Sequence, residues 1–352
     1  MMRADEIIAA IHKKAEGLGN IAVMEVCGTH TNELHRHAIP QALPDNIRLV
    51  SGPGCPVCVT SQSDIHAALA VAGMKDTVLC CYGDMLRVPC GDTSLLGMKG
   101  AGADVRSVVS ALEALEIARA NPLKQVVFFA VGFETTTPHT AALIEDAARE
   151  NLSNLSVLCS HKTMPAAVTA LLSGKSGVNA LMCPGHVACI TGRKGFDFVP
   201  EKLKIPAVIA GFEAYDMLFA LLKICDMLGK SQLECFNAYA RAVSENGNDA
   251  ALRLTYKIFE ESECEWRGIG RIPESGLTIR EEYSFFDARR RFEIPDFAEE
   301  GGKKCICSKI LRGESIPSDC PSFASACTPE TPLGACMVSS EGSCAAYYKY
   351  ER

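Results

Sequence analysis

Four short motifs place thiols, imidazoles, hydroxyls and a carboxylate where metal and redox chemistry can use them. The first, Cys27-Gly28-Thr29-His30-Thr31, follows an apolar run, Ile21–Val26, that reads as a strand and leads into the helix-like run Asn32–Ala38. A thiol at a strand-to-helix turn lies near the positive end of a helix dipole, which favours thiolate. His30 is close enough in sequence to take that proton or to orient a ligand, and Gly28 permits a tight turn. The second motif, Gly52-Pro53-Gly54-Cys55-Pro56-Val57-Cys58, follows the strand candidate Ile47–Ser51. A C-x-x-C at such a turn has the span of a reversible disulfide. No second pair follows at the spacing of a zinc site. The third, Gly132-Phe133-Glu134-Thr135-Thr136-Thr137-Pro138, follows Gln125–Val131, with Pro138 placed to start a helix. Its hydroxyls and free N–H groups suit an anion or a polar diatomic ligand, and Glu134 suits acid or base work. The fourth, Cys183-Pro184-Gly185-His186-Val187, echoes the second with His186 in place of the first thiol. Taken singly, each could be a satisfied structural loop.

The tail concentrates Cys305, Cys307, Cys320, Cys327, Cys336 and Cys344, out of 18 cysteines in the chain, in a Gly/Ser/Pro-rich segment with few large apolar residues. Such a segment is organised by a metal centre more readily than by a hydrophobic core. Four thiolates satisfy a [4Fe–4S] cube, and a structural zinc knot is the alternative. Spacing alone does not select four of the six. The other cysteines, Cys80, Cys81, Cys90, Cys159, Cys189, Cys225, Cys235 and Cys264, lie mostly on apolar segments and read as small core residues.

The elements that must carry these motifs alternate between strand and helix patterns. Strand candidates are Ile21–Val26, Ile47–Ser51, Thr77–Cys81, Gln125–Val131, Leu155–Cys159, Asn179–Cys183 and Ala207–Ala210; helical segments include Ser63–Ala72, Val105–Arg119, Thr140–Glu150 and Pro165–Leu172. This alternation predicts α/β architecture with parallel sheets. Pro53–Thr60 is echoed by Pro184–Thr191, Val78-Leu79 with Asp84-Met85-Leu86 by Val208-Ile209 with Asp216-Met217-Leu218, and Cys27–His30 loosely by Cys159–His161. The echoes predict two similar Rossmann-like domains, 15–122 and 123–222, facing a cleft. Residues 223–352 read as a third, helical and irregular domain around the cluster, helical over Leu221–Leu228, Leu233–Ser244 and Asp249–Phe259, irregular over Arg267–Glu300, and joined by an N-terminal helix, 1–14.

At 352 residues, 48% hydrophobic and 22% charged, the chain suits a soluble globular protein. A net charge of −7 gives no basic footprint for nucleic acid. No apolar run approaches a membrane span, and the acidic, amphipathic start does not read as a signal peptide. A cytoplasmic location follows, in which thiols serve as ligands or redox groups. No G-x-x-x-x-G-K-[ST] loop is present to suggest an ATPase.

The motifs MEVCGTHT (Met24–Thr31), SGPGCPVC (Ser51–Cys58), GFETTTP (Gly132–Pro138), CPGHV (Cys183–Val187) and the tail CTPE…GACMVSSEGSCAAYY (Cys327–Tyr348) together resemble the HypD family of [NiFe]-hydrogenase maturation. The resemblance spans essentially the whole chain. It implies two α/β domains and a [4Fe–4S] domain, acting with the chaperone HypC to hold Fe(II) while two cyanides and one carbon monoxide are added. It further implies cyanide supplied by HypE, charged with HypF, and transfer of the finished Fe(CN)2CO group to the hydrogenase large subunit. By the same resemblance Cys27 is the iron ligand, with His30 beside it, and Cys55 and Cys58 are a redox pair. Glu134, Thr135, Thr136 and His186 would line the same cleft. Cys305, Cys320, Cys327 and Cys344 would hold the cluster, and Cys307 and Cys336 would form a redox pair next to it. The role implied is a redox-capable assembly scaffold, not an enzyme with conventional small-molecule turnover. The C-x-x-C and the tail would equally suit an iron–sulfur thiol–disulfide oxidoreductase, to which CGTHT and GFETTTP contribute nothing.

Overall fold

The computed structural model describes residues 2–174, 177–295 and 305–351. Strands β1 (Ile21–Glu25), β2 (Ile47–Ser51), β7 (Ala180–Pro184), β8 (Ala207–Ala210) and β9 (Cys235–Asn237) form one sheet in the order β2-β1-β7-β8-β9, every neighbouring pair parallel. Strands β3 (Thr77–Tyr82), β4 (Asp104–Val108), β5 (Gln125–Gly132) and β6 (Leu155–His161) form a second parallel sheet, β4-β3-β5-β6. A hairpin of β10 (Phe259–Trp266) and β11 (Gly270–Ile279) is antiparallel. Among the described residues, no helix is long and apolar enough to cross a membrane.

The parallel α/β architecture is as the alternation predicts, but the chain divides differently. Residues 122 and 123 lie between β4 and β5, which belong to one sheet, so the boundary expected there splits that sheet. After β2 the chain leaves the first sheet, builds the whole of the second, and returns as β7. The two echoing loops, after β2 and β7, therefore leave the same sheet. Local likeness of loops carries no information about which strands pair.

The period-2 alternation of each strand explains the layering. Ile21, Val23, Met182 and Val208 face a core shared with helices α1 (Ala4–Ala15), α2 (Gly28–Arg36) and, later in the chain, the helix Ala214–Gly229. Ile7 and Ile11, one turn apart, bury the apolar stripe of α1 there, and Lys14 reaches Asp226 at 2.6 Å. The N-terminal helix thus covers the first sheet and is not part of the tail's packing as expected. Met24, Val26, Leu181 and Ile209 face a central core that also takes Leu79, Val127 and Phe129 of the second sheet. Cys55, Cys58, Cys307, Cys327, Cys336 and Cys344 are buried in that central layer. The far face of the second sheet, with Val126 and Phe128, is covered by the helices Leu112–Ala120 and Thr137–Arg149 and by Phe259, Leu277 and Ile279 of the hairpin.

Three local expectations change. Val105–Val108 is strand β4, and its helix begins at Leu112. Cys235–Asn237 is the edge strand β9 instead of helix. Much of the stretch expected to be irregular from Arg267 onward is hairpin, although residues 296–300 of it lie outside the described residues. Of the eight cysteines read as core, Cys80, Cys81, Cys90, Cys225 and Cys235 are buried, and Cys159, Cys189 and Cys264 are partly exposed.

Candidate metal centre

All five residues of β1 are buried, and the strand ends two residues before Cys27, which caps α2 with extended backbone angles of −149° and 120°. Burial pushes the Cys27 thiol up to about 12, the nearby Glu341 and Glu25 carboxylates add to this, and the N–H groups of His30 and Thr29 oppose it. A thiol so placed keeps its proton until a cation displaces it. Beneath it, Glu25 accepts the Cys27 N–H at 3.0 Å and the Thr31 hydroxyl; burial raises this carboxyl to about 8.

Two loops close on the Cys27 turn, the one carrying Gly52 and Gly54 and the tail at Glu341. Gly52 N–H donates to the Glu25 carbonyl at 2.8 Å, and Gly28 N–H donates to the Gly54 carbonyl at 3.1 Å. A Cβ on Gly54 would lie 2.1 Å from the Cys27 nitrogen, and one on Gly28 would lie 2.7 Å from the Glu341 carbonyl oxygen. The glycines of both motifs are there because backbone passes against backbone. Glu341, from the cysteine-rich tail, also accepts the Thr29 hydroxyl at 2.8 Å.

His30 is fully buried, with Nε2 2.9 Å from the Gly211 carbonyl, so Nε2 carries the proton and Nδ1 keeps its lone pair. Nδ1 is without a hydrogen-bond partner among the described residues. Burial lowers this imidazole to about 4, so it is a neutral ligand or acceptor. Its ring stacks on Phe212 with centroids 4.8 Å apart, and His186, exposed at the start of the helix Gly185–Thr191, stacks on Phe212 at 3.8 Å. The structure therefore brings Cys27, His30 and His186 to the carboxyl end of the first sheet.

Cys55 and Cys58 form a disulfide with Cα atoms 5.3 Å apart, across the short helix Pro56–Val59. The tail's helix Ala335–Val338 packs against that helix. It carries Cys336, whose sulfur lies 2.7 Å from that of Cys307. A Cβ on Gly342 would meet the Cys336 carbonyl oxygen at 2.1 Å, and Asn32 of α2 donates to the Ser340 carbonyl at 2.9 Å. The segment from Cys336 to Cys344 is thus wedged between the disulfide helix and α2.

Cys344 ends the same segment, and Cys305, Cys320 and Cys327 are close enough to act on its thiol. Burial pushes the Cys344 thiol well up, and Cys307, Cys305, Cys327 and Cys320 each add to this, so several sulfurs face one region. Cys327 Sγ accepts the Leu333 N–H at 3.3 Å. Burial raises the Cys327 thiol as well, and soft sulfur donors with an N–H already aimed at one of them are the donor type that an iron–sulfur group takes. Among the described residues, no group of three or more His, Cys, Asp or Glu side chains is arranged to hold a metal ion.

The third motif is placed elsewhere. Glu134 Oε1 accepts the Met164 N–H at 2.8 Å, and its side chain lines a cavity of about 600 Å³ with Thr163, Thr191, Lys202, Tyr256 and Ile272. Cys27, His30 and His186 are not in that lining, so Glu134 does not share a cavity with them as expected. Thr136 Oγ1 donates to the Phe133 carbonyl at 3.2 Å and sits where a Gly132 Cβ would be, so its hydroxyl shapes the turn. Thr135 is partly exposed in the same turn. Burial raises the Glu134 carboxyl from 4.5 to about 7, and Oε2 is without a partner among the described residues. The folded state therefore holds this proton more tightly than the unfolded chain, and stability falls as pH rises from 4.5 through about 7. Glu134→Gln keeps the acceptor for Met164 and is expected to flatten the pH dependence of the urea midpoint across that window; an unchanged slope would refute the assignment.

Sequence reasoning missed Glu25, Gly54 as a contact of Cys27, Phe212 and Glu341. The acidic strand end at Glu25 was the one visible signal, since a carboxylate there goes against an otherwise apolar run.

The family described as "HypD: Hydrogenase formation hypA family" matches residues 2–351. The chain is 45% identical over 357 aligned residues to the hydrogenase maturation factor HypD of Azotobacter vinelandii, covering 99% of this chain and 94% of that protein. It is 41% identical to the HypD of Cupriavidus necator, covering 99% and 94%. It is also 41% identical to a putative hydrogenase expression/formation protein of Methanocaldococcus jannaschii, covering 98% and 96%. With a match of this length and identity, the chain belongs to the HypD family of hydrogenase maturation factors.

Proposed function

We propose that this chain is the scaffold on which the Fe(CN)2CO group of [NiFe]-hydrogenase is assembled, with iron held by Cys27 together with HypC and cyanide received from HypE. The observation that carries the reading is convergence. The Cys27 backbone is packed against Gly54 of the loop that bears the Cys55–Cys58 disulfide, and the next two residues, Gly28 and Thr29, meet Glu341 of the segment between Cys336 and Cys344. Thiolates are strong donors that suit the electron-rich Fe(II) which cyanide and carbon monoxide prefer.

Release of cyanide from a thiocyanate-type carrier takes two electrons. A thiolate of the reduced Cys55–Cys58 pair attacks the carrier sulfur, the S–CN bond breaks, and cyanide leaves with the electron pair. The second thiol then closes the disulfide and frees the carrier as a thiol. Cys307 and Cys336 regenerate the pair by thiol–disulfide exchange, passing two electrons and two protons and becoming oxidised themselves. A [4Fe–4S] group held by Cys305, Cys320, Cys327 and Cys344 supplies reducing equivalents when bound. The packing of the Cys336 helix on the Cys55–Cys58 helix supports this route.

The test is infrared spectroscopy of the full chain purified anaerobically with HypC, with the other maturation proteins present. Metal-cyanide and metal-carbonyl bands are expected in the wild type and lost in the double variant Cys55→Ser, Cys58→Ser. Full bands in the double variant would remove the relay. Iron–sulfur absorption without such bands in the wild type would favour a thiol–disulfide oxidoreductase.

A further inference from the structure

The turn after β8 contains residues that no motif singled out. Phe212 stacks with two imidazoles: His30, fully buried, at 4.8 Å and 30°, and His186, exposed, at 3.8 Å and 21°. Phe212 is itself only partly buried. A ring that only filled a core would not be left partly exposed with two histidines stacked on it.

The ring is held from behind by a clasp. Asp216, 4% exposed, receives both terminal guanidinium nitrogens of Arg241, at 2.8 and 2.5 Å. Arg241 lies over the Tyr239 ring at 4.5 Å, and Tyr239 meets Phe212 edge-on at 6.1 Å. Glycine is required under the clasp. A Cβ on Gly211 would lie 2.2 Å from Asp216 Oδ2, and one on Gly185, next to His186, would lie 2.8 Å from the Tyr239 ring. The bidentate pair and the ring leave the Gly211-Phe212 turn one arrangement, and the Gly211 carbonyl also sets the His30 tautomer.

We propose that Phe212 is a positioning residue: clasped by Asp216, Arg241 and Tyr239, it holds His30 and His186 by stacking with each of them at the strand end that carries Cys27, so that His186 offers an N–H to the negative end of an incoming cyanide. This rests on the reading of Cys27 as the iron-holding thiol. Phe212 touches the two imidazoles and not the reacting atoms, so its effect is on geometry. The stack fixes the ring plane of a side chain that is otherwise exposed, and an imidazole free to rotate offers its N–H in many directions. Misplacing a group by about 1 Å costs up to about 10²-fold in well-oriented reactions.

The experiment uses the full chain with HypC and compares Phe212→Leu, Phe212→Tyr and Arg241→Met. In the wild type, stacking on Phe212 is expected to shift the His186 ring protons upfield by NMR. That shift is expected to vanish in Phe212→Leu, survive in Phe212→Tyr and shrink in Arg241→Met. The cyanide and carbonyl bands are expected to fall by about tenfold or more in Phe212→Leu and to return in Phe212→Tyr. Circular dichroism and alkylation of Cys27 by iodoacetamide are expected to stay at wild-type levels, which a merely unfolded variant would not achieve. Wild-type band intensity in Phe212→Leu, or an unchanged His186 shift in Arg241→Met, overturns the proposal alone. Absence of bands in the wild type overturns the reading of Cys27 and the proposal with it.

Discussion

Cys27→Ala is expected to eliminate the metal-cyanide and metal-carbonyl bands of the complex with HypC, while circular dichroism and the visible absorption of the iron–sulfur group proposed for the tail remain at wild-type strength. The separation follows from where the sulfur sits. Cys27 is 7% exposed at the N-cap of α2, and its side chain makes no capping hydrogen bond there. What fixes the turn is main chain: Cys27 N–H to Glu25, Thr31 N–H to the Cys27 carbonyl at 3.0 Å, and Gly28 N–H to Gly54. Alanine keeps all three, so the structural cost is that of one small buried atom, on the order of 1 kcal/mol. The functional cost is total, because Cys55 and Cys58 sit across their own short helix, where the proposed reading uses them as a redox pair, and the tail's cysteines face their own region. Cys27→Ser should behave alike, since a hydroxyl is a poor donor to low-spin Fe(II). Bands of wild-type intensity in either variant would remove Cys27 from the iron site.

The same turn shows how much of the molecule could be read in advance. Strand positions were legible because a buried parallel strand is a short unbroken apolar run, as at Gln125–Val131, and the helices after them were legible from their apolar stripes. Strand pairing was not. Pro53–Thr60 and Pro184–Thr191 look alike because each is a Pro-Gly turn starting a helix at the end of a strand, which is a local requirement. Which sheet the strand joins is decided by the packing of both its faces. The thiols could be found because cysteine spacing is itself the signal, and Cys307 and Cys336 do approach each other. Glu341 could not be found: it reaches Thr29 across more than 300 residues, and a carboxylate in a Ser/Gly-rich stretch looks like ordinary surface. The expected company of Glu134 failed for a related reason. A side chain at a strand end can turn toward either neighbouring helix, and the Met164 N–H, not the sheet edge, decided its direction.

Gly54→Ala should be a strongly damaging single-methyl addition, and it tests whether the two thiol motifs form one structural unit. The added Cβ would lie 2.1 Å from the Cys27 nitrogen, 2.3 Å from the Val26 carbonyl carbon and 2.4 Å from the Cys27 Cα. All three are main-chain atoms, so no rotamer change relieves the clash. Relief requires moving β1's exit, which is held by Gly52 N–H on the Glu25 carbonyl, or moving the loop that carries the disulfide. Either movement breaks the Gly28–Gly54 hydrogen bond and displaces Cys27 from the tail's Glu341. Overpacking typically costs roughly 1–3 kcal/mol, and a backbone clash on this scale belongs at the top of that range or beyond. The expected result is a clear fall in the urea midpoint, together with loss of the cyanide and carbonyl bands even in the fraction that remains folded. Gly17→Ala is the control, because nothing lies within 4 Å of a Cβ there. If Gly54→Ala matched it in midpoint and in bands, Cys27 and the C-x-x-C loop would not be packed backbone to backbone, and the convergence on which the assembly reading rests would fail with it.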